Sequence, residues 1–286
     1  MLTQSDKGQA FRSLHERDGA FIIPNPWDIG TSRLLASLGF EALATTSAGY
    51  AFSAGQPDNT IERDEMMAHV SSIASATDLP VSADLENGFG DSPEIVAETI
   101  WLAAAAGAVG GSIEDMSHQL GHPIYERDYA VERIRMAVDV ARAFPFPFTL
   151  TARCENYLVG RPDLKDTIKR LQAYQTAGAD VLYAPGLTSK DDIAAVVSSV
   201  DRPVNVVMGL QGVQLSLAEL SAIGVRRISI GSALSRAALG AFLRAGQEMQ
   251  EHGTFTFADE AVSYRDLSAM FTACGPPIKK TKVGLP

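Results

Sequence analysis

The chain has little cysteine, no excess of basic residues and no long apolar run, and each shortage excludes a class of protein. Two cysteines in 286 residues, Cys154 and Cys274, supply neither a disulfide framework nor a zinc site, and suit a reducing cytoplasm. Lys and Arg number 24 against 34 Asp and Glu, a formal net charge of −10. No basic face is implied, so neither nucleic acid nor an anionic membrane is expected as a partner. Met1 to Gly19 mixes Lys7, Arg12, His15, Glu16, Arg17 and Asp18 with few apolar residues. That is not the pattern of a signal peptide, and no apolar run elsewhere is long enough to span a bilayer. What remains is a composition of 46% hydrophobic and 20% charged residues, enough to bury a full core. An α/β barrel of this kind takes about 250 residues as a single domain.

The length is filled by an alternation of short apolar runs with longer amphipathic ones. Strands are expected at Ala20–Pro24, Ala42–Thr46, Val81–Asp84, Val109–Ile113, Phe148–Ala152, Val181–Ala184, Val204–Val207 and Arg227–Ile230. Helix-period segments separate them: Gly30–Ser37, Arg63–Ala76, Pro93–Ala106, Ala130–Ala143, Leu164–Thr176, Asp191–Val200, Leu217–Ile223 and Ser235–Glu251. Several helices stop at a glycine followed at once by a strand, as at Gly39, Gly107, Gly178 and Gly224. Eight such units predict an α/β fold, a (β/α)8 TIM barrel, rather than a doubly wound open sheet. A leader helix is expected near residues 4–17 within an N-terminal segment of about 1–19. A tail of about 252–286 carries an extra helix near 259–272 and the basic end Pro276-Pro277-Ile278-Lys279-Lys280. No linker or repeat divides the chain, so one domain spanning 1–286 is expected.

In a barrel of this kind the chemistry sits where strands end and βα loops begin. The most informative end is Ala83-Asp84-Leu85-Glu86-Asn87-Gly88-Phe89-Gly90. Residues two apart on a strand share a face, so Asp84 and Glu86 point together while Leu85 enters the packing. Paired carboxylates repel unless a cation sits between them, and oxygen-only donors suit a hard divalent ion such as Mg²⁺. The second strand ends in Thr45-Thr46-Ser47-Ala48-Gly49, a turn whose amides can face an anion. The fourth ends in Glu114-Asp115 and the fifth in Arg153-Cys154-Glu155. Loops at the opposite end, such as Leu79-Pro80 and Pro145-Phe146-Pro147, carry far fewer such groups. The asymmetry favours a metal site over scattered surface acids.

These ordered motifs, with Asn25-Pro26-Trp27-Asp28, Gly55-Gln56-Pro57-Asp58 and Thr151-Ala152-Arg153, resemble the phosphoenolpyruvate mutase/isocitrate lyase superfamily. The resemblance implies that Asp84 ligates Mg²⁺, with Mn²⁺ as a substitute, and that Glu86, Glu114 and Asp58 surround the ion largely through water. It implies that Ser47 with the Ala48 and Gly49 amides holds the substrate carboxylate, and that Arg153 pairs with the substrate near the developing enolate. It further implies a homotetramer, with the eighth helix exchanged between subunits.

The chain departs from the lyase pattern at three places. Leu120 replaces the loop cysteine that serves those lyases as acid, Thr45 replaces a tyrosine, and Glu86 stands where many members have aspartate. His122 is then the candidate acid/base, because an imidazole titrates near neutrality; His118 is the lesser candidate. Asn205 is placed either at the substrate's far end or as a satisfied interior amide. Cys154 faces the packing, and Tyr50 and Phe52 lie in the loop after Gly49, at the pocket wall or packed beneath it. The expected function is a cytoplasmic, Mg²⁺-dependent carbon-carbon lyase acting on a small α-oxo or α-hydroxy carboxylate by C–C cleavage or decarboxylation. The alternatives are phosphonopyruvate mutase or hydrolase chemistry and a metal-binding member without catalysis.

Overall fold

Eight parallel strands and the helices between them form a nearly closed barrel in the computed structural model, which describes residues 2–274. The strands in chain order are β1 (Phe21–Ile23), β2 (Leu43–Ala44), β3 (Val81–Asp84), β4 (Gly110–Glu114), β5 (Met116–Gln119), β6 (His122–Ile124), β7 (Thr149–Arg153), β8 (Val181–Tyr183), β9 (Val204–Val207) and β10 (Arg227–Ser229). The barrel order is β1-β10-β9-β8-β7-β4-β3-β2, while β5 and β6 make a separate antiparallel hairpin whose first residue, Met116, lines the cavity at the strand ends. The seam between β1 and β2 is bridged where Ala44 N donates to Pro24 O at 3.1 Å. All eight expected barrel strands are present, Val81–Asp84 and Val204–Val207 with the expected bounds and the others with ends shifted by at most two residues.

Alternation along each strand sorts side chains into two environments. On β7, Leu150 and Ala152 face the helices and are fully buried, while Thr151 and Arg153 face the barrel interior. Cys154 continues the outward set and is buried, as expected. Parallel register then lines the interior groups up across strands: Asp84 pairs with Ser112, Glu114 with Arg153, and Arg153 with Tyr183.

The N-terminal helix Gln4–Glu16 closes the opposite end. Thr3 caps it in a reciprocal box with Asp6. Its Phe11 is fully buried and packs with Phe21, Ala42 and Val109. Gly110 makes this approach possible, because a Cβ there would lie 2.8 Å from the Phe11 ring and 2.9 Å from Thr149 O. His15, on the same helix, donates from Nδ1 to Phe11 O at 2.8 Å. Burial first, and then Arg227, push its pKa down to about 3. The ring is therefore neutral, and Nε2 presents a lone pair to Arg227 Nη1 at 3.5 Å.

Two elements were not expected. Residues Ser47–Ser53 form a short helix rather than a loop, and the segment after β4 folds into the β5–β6 hairpin. The eighth barrel helix, Ala233–His252, is followed by a 3-10 turn, Thr256–Glu260, and a final helix, Tyr264–Cys274, that lies against Ile29–Ser37 of the same chain. The expected basic end at 276–280 lies outside the described residues. Among the described residues no helix is long and apolar enough to cross a membrane.

Candidate active site

The strand ends converge on a cavity of about 250 Å³ lined by Ser47, Ala48, Asp58, Asp84, Glu86, Glu114, Arg153 and Asn205, with Arg227 and Arg236 also on its wall. Among the site candidates named from the sequence, Gly49, Asp115, His118 and His122 do not line it. The convergence follows from register, since β3, β4 and β7 are neighbours.

Asp84 is the hub. Its Oδ2 accepts from Ser47 N at 3.0 Å and from Ser47 Oγ at 2.9 Å. Its Oδ1 accepts from Arg153 Nη1 at 2.9 Å. The Asp84 amide in turn donates to Thr45 Oγ1 at 2.8 Å, so Thr45 braces β3 from β2. Arg153 reaches three acids at once, adding Glu114 at 3.0 Å and Glu155 at 2.9 Å, and it lies 5.2 Å from the Tyr183 ring centre. One guanidinium thus holds three buried or half-buried carboxylates in a fixed fork.

That single cation does not neutralise the cluster. Glu86 is 6% exposed, and its Oε1 has no hydrogen-bond partner. Its pKa is pushed up to about 8 by burial, and then by Asp84 and Asp58, against the opposing pull of Arg153. Burial likewise raises Glu114 well above the carboxylate range, and Glu155 to about 7. Asp58, exposed at the rim, is raised by desolvation and then by Asp84. Burial thus raises all four of these acids, and the one guanidinium does not offset it. A divalent cation fits this donor set. Among the described residues no group of three or more His, Cys, Asp or Glu side chains closes into a tight metal cage. A hard divalent ion requires no such cage, since it can keep several waters and take one or two carboxylates directly.

The strand reading of Asp84 and Glu86 needs one amendment. β3 stops at Asp84, and Glu86 reaches the cavity through a left-handed backbone, φ 50°, rather than through strand alternation. Asp115, read as half of an acid pair, faces away from the cavity: its Oδ2 accepts from Tyr174 Oη at 2.6 Å and Arg170 Nη1 at 3.1 Å. Its Oδ1 accepts from Glu155 N at 2.8 Å, which braces the β7 end.

At the end of β2, Thr46 caps the helix Ser47–Ser53, and its Oγ1 accepts from Gly49 N at 3.1 Å. The Gly49 amide is thus occupied and does not serve an anion cradle, which corrects the expectation for that residue. Its lack of a side chain matters instead for packing, since a Cβ would lie 2.5 Å from Thr46 Cγ2. Tyr50 stacks on His69 at 3.8 Å between ring centres, beneath the loop rather than on the cavity wall. His122 lies exposed on β6 and is not brought to the acids. His118, exposed at the hairpin tip with φ 55°, is the histidine whose charge acts on Asp58. Asn205 has both polar ends occupied: Nδ2 donates to Ser229 Oγ and Oδ1 accepts from Arg227 Nε, each at 2.9 Å.

Three contributors escaped the sequence reading. Asn25 staples the seam, donating to Thr45 O at 2.8 Å and accepting from the amides of Ile230 and Gly231 at 2.9 Å. Arg227 is a buried interior cation whose partners are Asn205, Thr151 and His15. The dipeptide Arg226-Arg227 carried its signal, because adjacent strand residues face opposite ways and one had to point inward. Arg236 comes from the first turn of Ala233–His252, and nothing in the sequence set it apart from other helix arginines.

Comparison with known proteins gives a consistent picture. The phosphoenolpyruvate phosphomutase family model matches residues 11–250. A crystal structure from Burkholderia cenocepacia J2315, provisionally designated a lyase/mutase, is 68% identical with a TM-score of 0.92, covering 94% of this chain and 96% of that one. The 2-methylisocitrate lyase of Salmonella typhimurium is 33% identical over 189 residues, 63% of either chain. The oxaloacetate decarboxylase of Chromohalobacter salexigens is 28% identical over 246 residues, 84% of either chain.

Proposed function

We propose, because the chain belongs to the phosphoenolpyruvate mutase/isocitrate lyase superfamily, that it is a Mg²⁺-dependent lyase for a small α-oxo or α-hydroxy carboxylate. The bond broken is C–C, by cleavage or decarboxylation through a pyruvate-like enolate. The observation that carries the reading is the under-neutralised cluster of Asp84, Glu86 and Glu114 around Arg153, with a buried Glu86 oxygen left without a partner. Its named relatives are a lyase and a decarboxylase of small acids.

Asp84 and Glu86 would hold the ion, Asp84 directly, with Glu114 and Asp58 reaching it through water. When bound, Mg²⁺ supplies Lewis-acid stabilisation of the charge that develops on the substrate oxygen. The substrate carboxylate seats on the Ala48 amide, and on Ser47 Oγ once its hydroxyl proton turns from Asp84 to the substrate. Arg153 places its guanidinium beside the developing negative charge, already oriented by three acids, so little reorganisation accompanies the reaction. Glu114 and Glu155 fix that orientation. Leu120 at the hairpin tip cannot transfer a proton, and of the two hairpin histidines His118 is the one that acts on a cavity acid, Asp58.

The test is release of pyruvate or glyoxylate from a panel of α-hydroxy and α-oxo diacids, with phosphonopyruvate included, before and after chelation. Turnover of one acid that chelation abolishes is expected. No turnover across the panel by a cation-loaded chain sinks the reading, and exclusive turnover of phosphonopyruvate replaces it with P–C chemistry.

Assembly with further copies belongs to the same reading. The helix Ala233–His252 has Ser235 as its one buried residue among those described, and Phe242 and Leu243 are 74% and 60% exposed. Apolar surface of that kind calls for a partner, and we place the eighth helix of a second copy there, within a homotetramer. Sedimentation is expected to give a tetramer for the wild type and a smaller species for Phe242→Asp with Leu243→Asp. A wild-type monomer at micromolar concentration rules this out.

A further inference from the structure

The loop after β3 is held from behind by a buried arginine that takes no part in the chemistry above. Arg133, on the helix Arg127–Ala143, is 1% exposed. Its Nη1 donates to the main-chain carbonyls of Gly90 and Asp91, and its Nη2 to that of Asn87. The guanidinium carbon lies 4.2 Å from the centre of the Tyr125 ring. Tyr125 Oη donates to Asp91 Oδ1 at 2.5 Å and accepts from Asn87 Nδ2 at 3.2 Å. Among the described residues no carboxylate forms an ion pair with Arg133, and Asp91 is given to Tyr125 and to Gln119 Nε2 at 3.1 Å.

The segment so held has an unusual backbone. Glu86, Gly88 and Phe89 take φ values of 50°, 88° and 60°, and two of the three are L-residues with side chains, for which the left-handed region is sparsely populated. Such a conformation persists when its surroundings over-determine it. Here the surroundings are one guanidinium bridging three carbonyls within five residues, the kind of multi-acceptor contact that a planar fork makes and an ammonium does not. The left-handed turn at Glu86 is what aims its carboxylate at the cavity, because β3 has already ended.

We propose that Arg133 is a positioning residue for the cation site. By clamping the carbonyls of Asn87, Gly90 and Asp91 it holds Glu86 in the left-handed turn that presents its carboxylate beside Asp84, and so sets the affinity for a divalent cation. The inference rests on the proposed function in taking Glu86 as a group facing the ion. Arg133 touches neither substrate nor ion and acts only through the loop.

The experiment is titration of the full chain with Mg²⁺ by calorimetry and with Mn²⁺ by electron paramagnetic resonance, for wild type, Arg133→Lys, Glu86→Gln and the double variant. Arg133→Lys is expected to weaken binding by about 10–100-fold, as loss of an orienting outer contact does. In the Glu86→Gln background the same change is expected to alter affinity by less than about twofold, because both act through one carboxylate and their effects do not add. A purely structural role predicts the opposite: lowered thermal stability with full additivity. Tyr125→Phe, which frees Asp91 and Asn87 without removing the arginine, is the milder variant and is expected to weaken binding in the same direction. If Arg133→Lys does not fold, Tyr125→Phe decides by the same criteria. Wild-type affinity in these variants, or additivity with Glu86→Gln, overturns the inference while leaving the proposed function standing. A wild-type chain that binds neither ion overturns the proposed function, and the inference with it.

Discussion

Asp84→Asn is expected to lower kcat by about 10³-fold or more while leaving the fold intact. Loss of one preorganised group at a developing oxyanion costs about 10²–10³ in rate, and Asp84 serves two such groups besides its proposed place at the ion. Its Oδ2 fixes Ser47, and its Oδ1 fixes Arg153. Asparagine has nearly the same shape, so packing survives. The amide, however, has one oxygen where the carboxylate has two, and an NH₂ turned toward Arg153 donates where an acceptor is required. Divalent-cation affinity is expected to fall together with kcat, and circular dichroism to stay unchanged. A variant that retains more than about a tenth of wild-type kcat would remove Asp84 from the centre of the mechanism.

Arg153→Met is expected to remove activity and to destabilise the protein by about 3–5 kcal/mol at pH 8, the usual result of leaving buried charge unpaired. Asp84, Glu114 and Glu155 would then face each other without their cation. The pH dependence identifies the cause. Glu155 has its folded pKa raised to about 7 by burial even with Arg153 in place, and Glu114 is raised well above its ordinary value by the same cause. Between the ordinary value of 4.5 and the raised one, the folded state binds more protons than the unfolded state. Stability therefore falls as pH rises through that window and recovers as pH drops toward 5. Removing the arginine moves these values further up and steepens the effect. Thermal melts of wild type and variant from pH 5 to 9 measure it, and parallel curves would mean that the triple ion pair contributes little.

Most of the barrel was legible because its signals are local. Apolar runs of four or five residues, amphipathic segments and glycine stops recur with one period, and each strand end brought its polar residues with it. The hairpin after β4 was not legible, since Met116–Gln119 and His122–Ile124 are short, largely polar and paired only with each other. The helix Ser47–Ser53 was hidden for a related reason: its start is a small-residue turn, and only the Thr46 side chain, accepting from the Gly49 amide, marks it as a cap. Among the site residues, Asp84, Glu114 and Arg153 could be placed from strand position alone. Arg133 and Arg170 could not, because the partners are main-chain carbonyls for Arg133 and an acid 55 residues away, Asp115, for Arg170. A guanidinium bound to backbone leaves no trace of its partner in the sequence.

The closure of one barrel end by Phe11 and its neighbours has a kinetic meaning. With that end closed, the cavity opens toward the strand ends that carry Asp84 and Arg153. For the two-fragment cleavage proposed above, release is then expected to be ordered, the fragment held on Ser47 and Arg153 leaving last. Product-inhibition kinetics measure this: that fragment is expected to compete with the incoming acid, and the other is not.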